Sequence, residues 1–158
     1  MWEAMVKRNA VLVPRIIDYL GQRHMHGYYA ATREEAKNLI LSLIPEGSSI
    51  GWGGSMSLEE IQIKDALRKG NYKVCDRDHA KNEQELRAME RQCLLSDVFL
   101  MGTNAITEDG QLVNLDGNGN RVAALAFGPE KVIVVAGINK ICSDLEEAVK
   151  RVRHTAAP

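Results

Sequence analysis

The stretch Ser48-Ser49-Ile50-Gly51-Trp52-Gly53-Gly54-Ser55-Met56-Ser57 decides the fold class, because a short apolar run leads directly into glycines and then into helix-capping residues. Residues 48–52 predict a buried strand. Ser57, with Glu60 three positions later, predicts a capping box that opens a helix to about Lys69. A strand, a glycine loop and a helix in succession are typical of an α/β domain, whose ligands bind where the strands end.

Helix and strand signals alternate on both sides of this stretch. The sequence predicts further helices over 2–21 (kinked or broken at Pro14), from the Thr32 cap to Pro45, over 82–95, over 121–126, and from the Ser143 cap to about Arg153. Further strands are predicted over 26–30, 72–76, 97–101 and 131–136. Asp109-Gly110, between Ala105–Thr107 and Gln111–Leu115, predicts a hairpin. Together these signals indicate an α/β domain with a mainly parallel sheet and a β-hairpin insert.

Composition limits the class of protein. The chain has 158 residues, of which 45% are hydrophobic and 26% charged, with 20 Lys+Arg against 21 Asp+Glu. This predicts a single folded domain, with no basic field or aromatic platform for nucleic acid. Apolar runs are too short for a membrane span, and the N-terminus does not resemble a secretory signal. Three widely spaced cysteines without a C-x-x-C pair favour reduced thiols in the cytoplasm.

Four predicted loops carry residues that could bind a ligand. Glycine loops admit backbone N–H groups to an anion, but the first loop could equally be a tight connection. The second could merely start the hairpin, the third could be built for its backbone conformation, and the lysine of the fourth could be solvated. Arg121 could clamp a carboxylate or phosphate. The candidate ligand-binding residues are Gly51, Gly53, Gly54, Ser55, Thr103, Asn104, Asn118, Gly119, Asn120, Arg121, Asn139 and Lys140.

Candidates for catalysis are few. Glu108 on the predicted hairpin could act as a nucleophile or base, although a solvated turn glutamate is the commoner case, and Asp116 is second. His24 and His26 have no cysteine or carboxylate nearby at metal-ligand spacing, and Asp76, Asp78 and His79 follow a strand end and could be polar lining, so no metal site is predicted.

Four ordered motifs together resemble the LUD domain, the lactate-utilisation family. They are Gly51–Glu60, Ser96-Asp97 with Gly102–Gly110, Asn114–Val122, and Phe127-Gly128-Pro129 with Val132–Lys140. The resemblance covers essentially the whole chain, residues 1–158, with 1–22 as a helical segment and 23–158 as an α/β core.

The resemblance implies a Rossmann-like three-layer sandwich of the NagB/RpiA/CoA-transferase-like type. It also implies a cytoplasmic role in lactate oxidation, with a small anionic ligand bound in one cleft formed by the four loops and with iron–sulfur redox partner proteins. No cofactor is identified, and no metal or iron–sulfur cluster is assigned to this chain itself. The alternative is a stand-alone enzyme on the same fold, an acyl or CoA transferase or a sugar-phosphate isomerase. Trp2, Met5 and Val6 could form a homodimer contact or pack on the chain's own core.

Overall fold

The computed structural model describes the backbone of residues 2–158 and the side chains of residues 6–158. The helices are α1 (Trp2–Gln22), α2 (Arg33–Leu43), α3 (Met56–Glu60), α4 (Ile63–Lys69), α5 (Glu83–Cys93), α6 (Asn120–Phe127) and α7 (Leu145–Arg151). The strands are β1 (Ser49–Trp52), β2 (Lys73–Cys75), β3 (Val98–Gly102), β4 (Ala105–Thr107), β5 (Leu112–Val113), β6 (Lys131–Val135) and β7 (Ile141–Cys142). The chain divides into two compact units.

The larger unit, residues 31–102 and 115–135, is built on a parallel sheet with strand order β2-β1-β3-β6. Its central strand β3 is buried along its whole length. Parallel strands covered on both faces read as continuous apolar runs, which is why Val98–Met101 signals a strand so clearly. This confirms the predicted α/β class and mainly parallel sheet.

Helices cover both faces of this sheet. On one face, side chains such as Ile50 and Leu100 pack against α2, α3 and α4. On the other, Phe99 and Met101 pack against Cys93 of α5 and Ala124 of α6. Neighbouring residues of a strand point to opposite faces, so one strand supplies both core clusters. The unit is therefore a sandwich of three layers, as expected.

The predicted helix over 57–69 is wrong in two details. Ser55, rather than Ser57, caps α3, and the helix breaks at Gln62, whose φ of 56° is left-handed. Ile61 and Ile63 are both buried, although two positions along one helix are about 200° apart around its axis. The break lets both side chains reach the same core.

The smaller unit comprises the chain up to Ala30 with residues 103–114 and 136–158. Strand β4 pairs antiparallel with β5, which confirms the predicted hairpin, and parallel with β7, a short strand that was not predicted. Leu12 and Ile16 of α1 pack on Ile106. The resulting three-stranded sheet has the order β5-β4-β7.

Three further predictions in the smaller unit need correction. No strand forms over 26–30, because Gly27 packs closely against Ile17 of α1 instead of pairing with a strand. Helix α1 continues through Pro14 without a break. Asp144, rather than Ser143, caps α7 by accepting a hydrogen bond from the N–H of Glu147.

The other predicted elements form with bounds shifted by one or two residues, and Thr32 and Asn82 cap α2 and α5 as predicted. The side chains of Trp2 and Met5, part of the proposed dimer contact, lie outside the described residues.

Candidate functional site

The larger unit has a change of direction in its strand order. From β1 the chain continues through α3 and α4 to β2 on one side, whereas from β2 it crosses through α5 to β3 on the other side of β1. The helices that follow β1 (α3 and α4) and β3 (α6) pack on opposite faces of the sheet. The edge beyond the carboxyl ends of two such neighbouring strands is where α/β proteins commonly bind ligands. Gly53 follows β1 at this edge, and Gly102 ends β3.

Arg121 occupies this edge between the two strands. A Cβ atom at Gly53 would lie 2.4 Å from Cγ of Arg121, so the arginine stem passes directly over the glycine. Its Nη1 donates to the carbonyl oxygen of Gly102 at 3.2 Å, and its Nη2 donates to that of Leu115 at 3.0 Å. Within the larger unit, the arginine therefore ties the ends of β1 and β3 to the loop before α6.

Asp116 holds Arg121 in place. Nε of Arg121 donates to Oδ1 of Asp116 at 2.6 Å, and the N–H of Val122 donates to Oδ2 at 2.9 Å. The Asp116 side chain is only 5% exposed. The carboxylate thus satisfies an N-terminal amide of α6 and neutralises the arginine, which is a structural role for both residues.

An open cavity of about 390 Å³ lies beside the N-terminus of α6. Its walls come from the second half of α5 and from the start of α6, and its lining residues are Arg87, Glu90, Arg91, Leu94, Asn118, Gly119, Asn120 and Ala123. Gly119 has a φ of 77°, a conformation that favours glycine, and it begins α6. Three of the predicted ligand-binding residues are therefore brought together here, next to two arginines that sequence reasoning did not single out.

Glu90 is the buried acid of this cavity. Its carboxylate lies 2.7 Å from Nη1 of Arg77, and its Oε2 accepts a hydrogen bond from Nδ2 of Asn118 at 3.4 Å. Arg77 thus neutralises the negative charge of Glu90. Arg87, on the same wall, pairs with Glu83 one turn earlier on α5 at 2.6 Å, and Arg91 is the second cation of this wall.

The predicted glycine loop, Gly51–Ser55, has mainly structural roles in the larger unit. A Cβ atom at Gly51 would lie 2.6 Å from Cβ of Cys93, so this glycine is required for the approach of α5 to β1. Gly54 is exposed, with open space where a side chain would go. The Ser55 hydroxyl accepts a hydrogen bond from the N–H of Leu58 at 3.4 Å and so caps α3.

The remaining predicted ligand-binding residues lie in the smaller unit. Thr103 is buried, and its hydroxyl donates to the carbonyl oxygens of Ala105 and Val113. Arg151 of α7, which was not predicted, donates to the carbonyl oxygens of Asn104 at 2.6 Å and Asn139 at 3.2 Å. Arg151 therefore joins two of the predicted loops within this unit.

Lys140 ends the short 3₁₀ turn Ile138–Lys140, which also contains Asn139. That all four loops form one cleft stays a prediction.

Glu108, the first catalytic candidate, lies on the hairpin of the smaller unit. Its two carboxylate oxygens are each 3.8 Å from an arginine of α1, Oε1 from Arg8 and Oε2 from Arg15. The Glu108 side chain is 23% exposed. The carboxylate thus sits between two cations, and its catalytic role stays a prediction.

A family model described as the LUD domain matches residues 13–158 of the sequence. The chain belongs to the LUD domain family. This family is associated with lactate utilisation, and its match confirms the resemblance drawn from the four sequence motifs.

Among solved structures, this LUD domain is similar to ribose 5-phosphate isomerase A from Neisseria gonorrhoeae, with 18% sequence identity and a TM-score of 0.44. The similarity covers 74% of the LUD chain and 57% of the isomerase, so the chain spans little more than half the length of that protein. A search of curated proteins found no match.

The LUD domain also contains a buried lysine that sequence reasoning missed. Nζ of Lys64 donates to Glu59 at 2.5 Å and to Asp78 at 2.8 Å, and its side chain is 5% exposed. The indole N–H of Trp52 donates to the same Asp78 carboxylate at 3.1 Å. One signal was present in the sequence, because Lys64 lies three positions before the buried Leu67 and so shares its helix face.

Arg68 extends this network to Asp76 at the end of β2. Its Nε donates to Asp76 at 2.7 Å, and its guanidinium lies over the Trp52 ring at 5.4 Å. Burial raises the pKa of Asp76. The hydrogen bonds and the charge of Arg68, with smaller contributions from the N–H of Asp78 and from His79, lower it by more. The pKa of Asp76 therefore lies below its ordinary value. The ends of β1 and β2 are thus joined by charged groups.

Neither a candidate metal cluster nor a membrane-spanning helix occurs in the described part of the chain. No group of three or more His, Cys, Asp or Glu side chains in this part of the chain is placed to hold a metal ion. No helix in residues 2–158 is long and apolar enough to cross a membrane.

Proposed function

We propose that this LUD domain binds a small organic anion in the cavity between α5 and α6, and that it serves lactate oxidation together with iron–sulfur redox partner proteins. One observation carries the proposal. The cavity is lined by Asn118, Gly119 and Asn120, which the sequence nominated for ligand binding, together with Arg87 and Arg91.

The electrostatics of the cavity favour a carboxylate. Arg91 lies one turn from Arg87, which is paired with Glu83, and the N-terminus of α6 contributes a partial positive charge of about half an elementary charge. The amide side chains of Asn118 and Asn120 add neutral hydrogen-bond donors. A volume of about 390 Å³ lies within the range typical of small-molecule sites and accepts a hydroxy acid or keto acid readily.

The association of the family with lactate utilisation supports the ligand class and the need for a partner. Oxidation of lactate to pyruvate removes two electrons and two protons, so a redox acceptor must take up the electrons. Iron–sulfur proteins are suitable acceptors because their potentials span a wide range.

The alternative, a stand-alone transferase or isomerase on the same fold, requires a free carboxylate or another base. Glu108 faces Arg8 and Arg15, and Asp116 is held by Arg121. Both nominated carboxylates therefore already have cationic partners, which counts against either of them as a free base.

Calorimetric titration with matched variants tests the proposal. The purified protein is titrated with L-lactate, pyruvate, ribose 5-phosphate and CoA, and Arg91→Gln is compared with Arg33→Gln. Arg33 is a surface arginine of α2 that pairs with Glu60, away from the cavity residues. Loss of a charged hydrogen bond of about 1.5–3 kcal/mol predicts at least about a tenfold weaker affinity for Arg91→Gln only.

Binding of lactate or pyruvate that depends on Arg91 and not on Arg33 supports the proposal. Equal affinity in both variants contradicts the assignment of the cavity. Binding of CoA or the sugar phosphate alone contradicts the lactate assignment and favours the stand-alone enzyme.

A further inference from the structure

Two of the three cysteines meet where β2 packs under α5. Cys75 is the last residue of β2, and Cys93 is the last residue of α5. Both belong to the core cluster between the sheet and this helix. Cys93 is only 1% exposed, whereas Cys75 is partly exposed.

Hydrogen bonds show how close the two residues are. The Cys93 thiol donates to the carbonyl oxygen of Cys75 at 3.5 Å. The Cys75 thiol donates to the carbonyl oxygen of Met89, which lies one helical turn before Cys93, also at 3.5 Å. The Cys93 sulfur thus contacts β2, and the Cys75 sulfur contacts α5, at the same point of the interface between the two elements.

Gly51 lies between the two cysteines and explains the close approach. It is the partner of Cys75 in the parallel ladder, and adjacent strands are about 4.8 Å apart. A Cβ atom at Gly51 would lie 2.6 Å from Cβ and 2.9 Å from Sγ of Cys93. The Cys93 backbone therefore lies next to the strand neighbour of Cys75. Such a placement suits a disulfide, which bridges Cα atoms up to about 7 Å apart.

We propose that Cys75 and Cys93 form a redox-active thiol pair that closes to an intramolecular disulfide when a peroxide or a low-molecular-weight disulfide oxidises it. The proposal rests on the geometry of the two cysteines and is independent of any ligand in the cavity.

The reaction balances with hydrogen peroxide as the oxidant. The sulfur of the partly exposed Cys75 attacks one peroxide oxygen; the O–O bond breaks, and Cys75 becomes a sulfenic acid while water leaves with the thiol proton. The Cys93 sulfur then attacks the Cys75 sulfur, the S–O bond breaks, and the departing hydroxide takes the Cys93 proton as a second water. The pair of thiols loses two electrons, and one peroxide becomes two waters. With a low-molecular-weight disulfide as oxidant, Cys75 forms a mixed disulfide and releases one thiol, and Cys93 then displaces the second thiol, so one disulfide becomes two thiols.

The order of these steps follows from the environment of Cys93. Burial, with the neighbouring Cys75 thiol, raises the pKa of Cys93 to about 12, so near neutral pH its sulfur stays protonated. Cys75 is therefore the thiol that meets the oxidant, and Cys93 resolves the product.

The consequence of closure concerns α5. The disulfide would tie the C-terminal end of this helix to β2 by a covalent bond. Arg87 and Arg91 of the cavity lie on the same helix. Oxidation is expected to stabilise the sheet–helix interface and raise the melting temperature, because the cross-link restricts the unfolded chain.

Mass spectrometry tests the proposal on the full chain. The native protein is treated with hydrogen peroxide, or with oxidised glutathione, then unfolded in the presence of the alkylating agent and digested with trypsin. Trypsin leaves each cysteine on its own peptide, with Cys75 on 74–77, Cys93 on 92–121 and Cys142 on 141–150. The expected product is a cross-linked pair of peptides 74–77 and 92–121, lighter by two hydrogen atoms and separated by dithiothreitol.

Matched variants complete the test. Cys142→Ala should leave the cross-link and the rise in melting temperature unchanged, whereas Cys75→Ala should abolish both. Cys93→Ala should stop the reaction at Cys75, as a sulfenic acid or a mixed disulfide with glutathione. If the oxidised wild-type protein yields only alkylated Cys93, or only the Cys75 adduct, the proposal is overturned.

Discussion

Replacement of Gly53 by alanine is a sharp test of the arrangement at the ends of β1 and β3. The added Cβ would lie 2.4 Å from Cγ and 2.8 Å from Cδ of Arg121, far inside van der Waals contact. The arginine must move, and the movement pulls its guanidinium away from Asp116, now at 2.6 Å, and from the Gly102 carbonyl oxygen at 3.2 Å. Because the Asp116 side chain is only 5% exposed, its carboxylate would be left buried without its cation.

The expected loss of stability follows from these contacts. Hydrogen bonds to charged groups contribute about 1.5–3 kcal/mol each, and the shared network makes their losses less than additive. Gly53→Ala should therefore lower the free energy of unfolding by about 2–4 kcal/mol. For a chain of this size, each kcal/mol lowers the melting temperature by about 2–4 °C.

Urea unfolding with two comparison variants measures the effect. Gly54→Ala is the control, because nothing lies within 4 Å of a Cβ at that exposed glycine, and it should change stability by less than about 0.5 kcal/mol. In the background of Arg121→Ala, Gly53→Ala should cost far less than it does alone. Equal effects of the two glycine substitutions, or additivity of Gly53→Ala with Arg121→Ala, would refute the reasoning.

Three further predictions concern stability. Asp78→Ala should lower the free energy of unfolding in urea by about 2–4 kcal/mol, because it removes one of the carboxylates that pair with the buried Lys64 amine. Lys64→Met should lower it by less than about 1.5 kcal/mol. The reverse order of the two effects would contradict the network. Because the pKa of Asp76 is depressed in the folded protein, its carboxylate contributes stability above the ordinary pKa of about 3.8, and this stability is lost as pH falls through the folded pKa. Asp76→Asn should therefore flatten the dependence of melting temperature on pH below pH 5. An unchanged profile would count against the Arg68 contact. Gly110→Ala should lower unfolding free energy by about 1–3 kcal/mol, measured in urea, because Gly110 has a φ of 80° and little space for a side chain; a neutral result would contradict that backbone.

Local chemistry made much of the fold predictable. The buried run before Gly102 signals a parallel strand, Thr32 and Asn82 carry side chains that cap helices, and Asp109-Gly110 is suited to a hairpin turn. Each of these signals depends on residues within a few positions of one another. The family resemblance was also readable, because four motifs occur in a fixed order.

Features set by packing were less predictable. The break at Gln62 allows Ile61 and Ile63 both to be buried. No single residue there disfavours a helix, so local propensity does not predict the break. Strand β7 is two residues long, and its pairing with β4 depends on a partner more than thirty positions away. Such elements follow from the assembled sheet rather than from local propensity.

The candidate site also has some features that the local sequence indicated and others that depend on packing. The Asn118–Asn120 stretch stood out because glycine and asparagine tolerate left-handed backbone, and Gly119 does adopt it. Arg87 and Arg91 gave no signal, because arginines on an amphipathic helix usually face solvent. The sequence suggested Arg121 as a clamp for an anion. It did not show that Asp116 and two backbone carbonyl oxygens already engage this arginine, because those partners are brought to it only by the folded loop.

Binding of a small organic anion between α5 and α6 is tested most directly by a titration of the ¹⁵N-labelled protein with L-lactate and pyruvate, followed by amide chemical shifts. Saturable shifts are expected at Gly119, Asn120 and Arg91, on the walls of the cavity between α5 and α6. The absence of shifts at high ligand concentration, or shifts confined to residues outside that cavity, would contradict binding at this site.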